Sequence, residues 1–217
     1  MLGDKILTKI LSVKMIPNAD PALLKALGAK PGEMSLGIIT TDSDDVSYAA
    51  LDEATKKANV RVIYANSMYA GASNASTGLA GEFIGILAGQ DPAEVRSGLE
   101  AATRFIEEDA FFYSASEDDS VRYFAHCISR TGEYLSEQAG VKPGIAMAYL
   151  IAPPLEATLG LDAALKAADV ELRVYYAPPT KTNFAGGLLV GEQFACQAAC
   201  EAFAQTVCDI AQSPLAY

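Results

Sequence analysis

One pentapeptide occurs twice in this chain, as GAKPG at residues 28–32 and as GVKPG at residues 140–144. The segments beyond each copy also repeat, in the same order. The apolar runs "LGIIT" (36–40) and "AMAYL" (146–150) come next, and then "LDEATKKANVRVIYA" (51–65) matches "LDAALKAADVELRVYYA" (161–177), with two extra residues in the second copy. Finally "ILAG" (86–89) answers "LLVG" (188–191), each followed by a long helical pattern. A spacing of about 110 residues exceeds the 20 to 50 of a solenoid unit. It indicates two tandem domains of one fold in 217 residues, each of an ordinary domain size. The boundary falls near residues 108–111, giving domains 1–109 and 110–217.

Each copy reads as strand, KPG turn, strand, helix, strand, variable loop, strand, helix. Short strands alternating with helices that cover one face predict an α/β class fold, an α+β sandwich of one sheet and one helical layer. The first long helix, "AEVRSGLEAATRFIEE", carries the apolar stripe Val95, Leu99, Ala102, Phe105 and Ile106. In "FACQAACEAFAQTVCDI", Cys196, Cys200, Phe203 and Val207 follow a helical stripe, so these cysteines read as packed hydrophobes. A helical reading of "YFAHCISRTGEYL" puts Val121, Phe124 and Ile128 on a core stripe and His126, the only histidine, off it. The loops before the last strand differ most. "NSMYAGASNASTGLAGE" (66–82) has the Gly, Ser and Ala content of a flap, against "PPTKTNFAGG" (178–187) in the second copy.

A net charge of −11 with no basic patch excludes phosphate neutralisation, and so excludes a nucleic-acid binder. No apolar run approaches a membrane span, and Asp4, Lys5, Lys9 and Lys14 interrupt the N-terminal apolar stretch. The four cysteines lack metal-ligand spacing. No GxSxG, HExxH or GxxxxGK[ST] sequence occurs, so no activated nucleophile, catalytic metal or phosphate cradle is indicated.

One feature breaks the duplication. Asp42, Asp44 and Asp45 stand between an apolar run and a helix, whereas the second copy has Pro154 and Leu155 where the first has Asp44 and Asp45. One aspartate reads as a helix N-cap. Three exceed what a cap needs, and crowded carboxylates repel unless a cation intervenes. A calcium loop is not spelled out. An organic ammonium suits the residue types, with Glu82 and the aromatic run Phe111, Phe112 and Tyr113 as further partners. Exposed charge pairs net only about 0–1 kcal/mol, so such a site would exchange a small amine quickly.

Taken together, "SLGIITTDSDDVSYAALDEATKKANV", "SMYAG", "DPAEVRSGL", "AHCISRTGEYLS", "MAYLIAPPLEATLGLDAALKAADV" and "TNFAGGLLVGEQFACQAAC" resemble the trimeric, tandem-domain shell proteins of the ethanolamine-utilisation bacterial microcompartment. The resemblance covers almost the full length. It implies two circularly permuted shell domains, a homotrimer that tiles edge to edge with other shell proteins, and localisation in the microcompartment shell. It further implies that Asp44, Asp45, Glu82, Phe112 and Thr182 line a small pore that binds ethanolamine. The flap at 68–78, with Met68 and Tyr69, and the segment holding Phe111 and Tyr113 would shape a gated central pore. Members of that family have also been linked to zinc and to a cobalamin-type ligand at that gate; no residue set in this sequence is assigned to either. The competing reading is a small-molecule-binding regulatory module without shell assembly. An enzyme ranks third, for want of a catalytic motif.

Overall fold

A computed structural model of the chain describes residues 3–68, 83–178 and 180–215. In chain order the elements are β1 (Lys5–Ile6), β2 (Ile10–Ile16), α1 (Pro21–Ala26), β3 (Ser35–Thr41), α2 (Asp44–Lys57), β4 (Val60–Ser67), β5 (Phe83–Gly89) and α3 (Pro92–Glu108). They continue as β6 (Phe112–Ser114), β7 (Arg122–Ile128), α4 (Glu133–Ala139), β8 (Ala146–Ala152), α5 (Pro154–Ala167), β9 (Val170–Tyr176), β10 (Ala185–Gly191) and α6 (Gln193–Gln212).

The chain divides into two compact units. The first comprises Thr8–Ala110 with Gly132–Leu135; the second comprises Met1–Leu7, Phe111–Thr131 and Ser136–Tyr217. The first holds a four-stranded sheet in the order β2-β3-β5-β4, and the second a six-stranded sheet in the order β1-β6-β7-β8-β10-β9. Removing β1 and β6 leaves β7-β8-β10-β9, the same order as in the first unit. The duplication is therefore one of topology as well as of sequence.

The structure corrects the alignment of the two copies. Helices α2 and α5 are both 14 residues long, and Val60 and Val170 both pair at the same end of their sheets, opposite Gly89 and Gly191. Both edge strands also carry a register shift at one place, between Val62 and Tyr64 and between Leu172 and Val174. There is thus no two-residue insertion at this place: both copies share a one-residue bulge, at Ile63 and at Arg173. The difference in length lies downstream, in the connections from β4 to β5 and from β9 to β10.

The recurring glycines have a backbone reason. Gly28, Gly32, Gly140 and Gly144 all take positive φ, with Gly32 and Gly144 both at 93°, where an L side chain is strained. Space is not the constraint, since a Cβ at Gly32 or Gly144 would meet nothing within 4 Å. Gly32→Ala and Gly144→Ala are each expected to lower stability by about 1 kcal/mol. Matched losses in urea unfolding would confirm the shared turn.

Helices α2 and α3 cover one face of the first sheet, where Gly37 lies against Val95 and Leu99. Strand side chains alternate between faces, and the opposite face carries Leu36, Ile38, Ile84 and Ile86 against Leu24 and Leu27 of α1 and its end. The expected single helical layer is thus joined by a short helix on the other side. In the second unit, Ala146, Ala148, Leu150 and Ala152 of β8 pack against α5 and α6 through Ala157, Leu161, Ala164, Cys196, Ala199, Cys200, Phe203 and Val207. The predicted stripes of α3 and α6 are those that are buried. All four cysteines are free, and burial pushes the Cys196 and Cys200 thiols up, so they pack as small apolar groups.

The helical reading around His126 is overturned. Residues 122–128 form β7, with His126 opposite Tyr149 in the ladder and its ring 5.6 Å from that of Phe124. Consecutive Tyr123 and Phe124 are both buried, and β-branched and aromatic residues prefer this pleated setting. The helix starts only at Glu133.

Candidate functional site

The three aspartates after β3 do different things. Asp42 is structural: its Oδ1 accepts the Lys9 N–H at 2.7 Å, and its own N–H donates to the Lys9 carbonyl at 3.1 Å. This reciprocal pair ties the start of β2 to the turn beyond β3. Asp44 and Asp45 are the first two residues of α2 and are only 4% and 6% exposed. Carboxylates are seldom so deeply buried, and this pair is the most heavily charged buried point in the first unit's described residues.

None of the three caps the helix, contrary to expectation. Ser43 occupies the cap position and makes no side-chain capping bond, whereas α1 and α3 are capped by Asp20 and Asp91. The Ser43 carbonyl instead accepts from the hydroxyls of Thr41 at 2.8 Å and Ser47 at 2.6 Å. Its own Oγ is a buried polar atom without a hydrogen-bond partner among the described residues. One N–H at the head of α2, that of Asp45, is met by the carboxylate of Asp44 instead.

Asp44 is held by the Asp45 N–H, which donates to its Oδ1 at 2.9 Å, and by a hydrogen bond from Ser67. Ser67 in turn bonds the Tyr48 hydroxyl at 2.8 Å. Loss of water pushes the Asp44 carboxyl up to about 6, against the pull of these donors. Burial, with the two carboxylates adding to it, also pushes the Tyr48 phenol up to about 12. Tyr48 packs edge-on against Phe83 at 4.9 Å and lies stacked 6.2 Å from Tyr134.

The remaining candidates stand elsewhere. Phe112 in β6 is 1% exposed, and its ring packs against those of Phe124 at 5.4 Å and Phe184 at 6.0 Å. Thr182 is buried in the turn before β10, its hydroxyl 3.3 Å from that of Thr180. Phe111 is buried beneath the Lys5 ammonium, 4.1 Å from the ring centroid, a cation–π contact. Tyr113 stacks on Tyr123 at 5.8 Å. These four belong to the second unit, and Asp44 and Asp45 to the first. Met68 is half-buried after β4. Tyr69, Glu82 and the rest of the proposed flap lie outside the described residues.

Sequence reading missed Asp52. This side chain is fully buried in α2, with Oδ2 accepting the Gly132 N–H at 2.7 Å and Oδ1 the Leu135 N–H at 2.8 Å. Burial raises its pKa against those bonds. Gly132 must be glycine here, because a Cβ would collide with Thr55 Oγ1 and lie 2.5 Å from the Asp52 carbonyl.

Among the described residues no group of three or more His, Cys, Asp or Glu is arranged to hold a metal ion, and no helix is long and apolar enough to cross a membrane.

The BMC domain family model matches residues 35–116. A bacterial microcompartment shell protein EutL from Clostridium perfringens (strain 13 / Type A) is 61% identical over 217 residues, covering all of both chains. Its namesake from Salmonella typhimurium is 48% identical over 212 residues, 98% of this chain and 97% of that one. The crystal structure of the ethanolamine utilization protein EutL from Leptotrichia buccalis C-1013-b superposes with a TM-score of 0.96 at 59% identity, over the whole of both chains.

Proposed function

The chain belongs to the EutL family of bacterial microcompartment shell proteins, and from that premise we propose that it forms a homotrimeric shell tile whose small acidic apertures admit ethanolamine. Each chain carries two copies of one fold, so three chains supply six, enough for a pseudohexagonal disc that meets other shell proteins edge to edge. Asp44, Asp45, Glu82, Phe112 and Thr182 line the aperture in this reading. Met68, Tyr69, Phe111 and Tyr113 border the larger central gate. The tile does no covalent chemistry of its own.

The observation that carries the reading is the asymmetry at the two equivalent helix starts. The head of α2 buries two carboxylates, while the head of α5 has Pro154 and Leu155. A fold that is stable with proline and leucine there has no architectural need for the acids. Their burial is costly, and an ammonium ion offsets that cost by replacing lost water with a charge partner.

Calorimetry tests the aperture. The double substitution Asp44→Asn with Glu82→Gln is expected to lower ethanolamine affinity at least tenfold at about pH 7.5. Unchanged binding removes these residues from the site. Sedimentation tests the assembly, which should give trimers that associate further into sheets. A species that stops at a small oligomer would favour a regulatory module instead.

A further inference from the structure

Three groups bear on Asp44 from two elements. Asp45 and Tyr48 share α2 with it, and Ser67 comes from the end of β4. Asp45 and Tyr48 are the titratable ones. Phe83 from β5 and the Tyr134 ring complete the surround of Tyr48. The Ser67 hydroxyl touches both the carboxyl of Asp44 and the phenol of Tyr48, and it has one proton to give.

That single proton decides the direction of the chain. An ionised carboxylate only accepts. While Asp44 is charged, Ser67 must therefore donate to it, and the Ser67 oxygen is then free to accept from Tyr48. The phenol does not compete by ionising, since burial and the two neighbouring carboxylates hold it protonated. The order of donation is Tyr48 to Ser67 to Asp44. If Asp44 takes up a proton, the need for that order disappears.

We infer that Tyr48 and Ser67 are positioning residues for amine recognition: a hydroxyl relay that holds the Asp44 carboxylate ionised and oriented, without touching the ligand. This role rests on Asp44 receiving the amine as proposed above. Donors in series polarise one another, so the terminal bond to a carboxylate is strengthened by the phenol behind it. Neither residue belongs to an apolar stripe, and Tyr48 keeps its packing against Phe83 when only its oxygen is removed.

The test uses the full-length protein with carbon-13 carboxyl NMR and ethanolamine calorimetry across about pH 5 to 8. Tyr48→Phe deletes one oxygen and is expected to raise the Asp44 titration midpoint by about half a pH unit, and Ser67→Ala by about one. Ethanolamine affinity near the midpoint should fall about twofold and about fivefold in step, with the wild-type value recovered at about pH 8 in Tyr48→Phe. Ser67→Thr keeps the hydroxyl and should restore the wild-type titration. A lowered unfolding temperature with an unchanged Asp44 midpoint in both variants would overturn the relay and leave the pair a packing contact. If the midpoints move as expected but wild type shows no heat with ethanolamine, the relay stands and the amine-binding reading fails. Should Ser67→Ala not fold, Tyr48→Phe and Ser67→Thr decide the matter alone.

Discussion

Asp52→Ala is expected to lower the unfolding free energy by about 3–4 kcal/mol, the largest loss from any single polar substitution in the first unit. Removing the carboxylate strands two buried backbone donors, Gly132 N–H and Leu135 N–H, and each orphaned donor costs about 1–3 kcal/mol. Asp52→Asn should fall between, because it keeps one acceptor and turns an NH2 group toward the other N–H. The internal control is Asp162→Ala. That residue occupies the equivalent position of α5 but is exposed and pairs with Lys166, so its loss should stay below about 0.5 kcal/mol. Urea unfolding followed by tyrosine fluorescence measures all three. Equal effects at 52 and 162 would refute the argument.

Asp44→Asn should do the opposite and stabilise the protein above about pH 7. The Asp44 carboxyl is raised from 3.8 to about 6 by burial. A folded-state value above the unfolded one means that relative stability is highest below the unfolded value and falls as pH rises through the folded one. The wild type therefore gives up roughly 3 kcal/mol between about pH 4 and pH 7 on this group alone. Asparagine carries no charge to desolvate, though it forfeits part of the bonding from Ser67 and the Asp45 N–H. A net gain of about 1–2 kcal/mol at about pH 8, vanishing or reversing at about pH 4, is the expected result. An offset independent of pH would show that burial of charge is not its cause. Saturating ethanolamine should narrow the difference at the alkaline end by stabilising the wild type more than the variant.

The doubled architecture was open to inspection in the sequence because its punctuation is stereochemical. Gly28 and Gly32, with Gly140 and Gly144, stand where φ is positive, and few other residues accept that conformation. The stripes of α3 and α6 were legible for a similar reason: Val95, Leu99 and Ala102, like Cys196, Cys200 and Phe203, keep helical spacing over several turns. Residues 121–128 misled because Val121, Phe124 and Ile128 happen to share that spacing around a strand only 7 residues long. The shared bulge was invisible, since an extra residue in a ladder leaves no mark on composition.

At the site, Asp44 and Asp45 could be found because the second copy lacks them. Asp52 could not, and for the inverse reason. Leu51 and Asp52 recur as Leu161 and Asp162, so the duplication made a buried anchor look like a routine surface acid. Only the fold shows that one of the two is fully enclosed. The roles of Ser67 and Tyr48 depend on contacts across 19 positions, which no local pattern encodes.

The pairing of Lys5 with Tyr113 and of Ile6 with Phe112 matters for synthesis. Lys5 and Ile6 find their ladder partners only after the segment up to Phe112 and Tyr113 has emerged behind them. Until then β1 has no strand to join, while the segment from Thr8 onward can already collapse. A bulky insertion beside β1 should therefore disturb the unit that holds β6 and β7 more than the one that begins at Thr8.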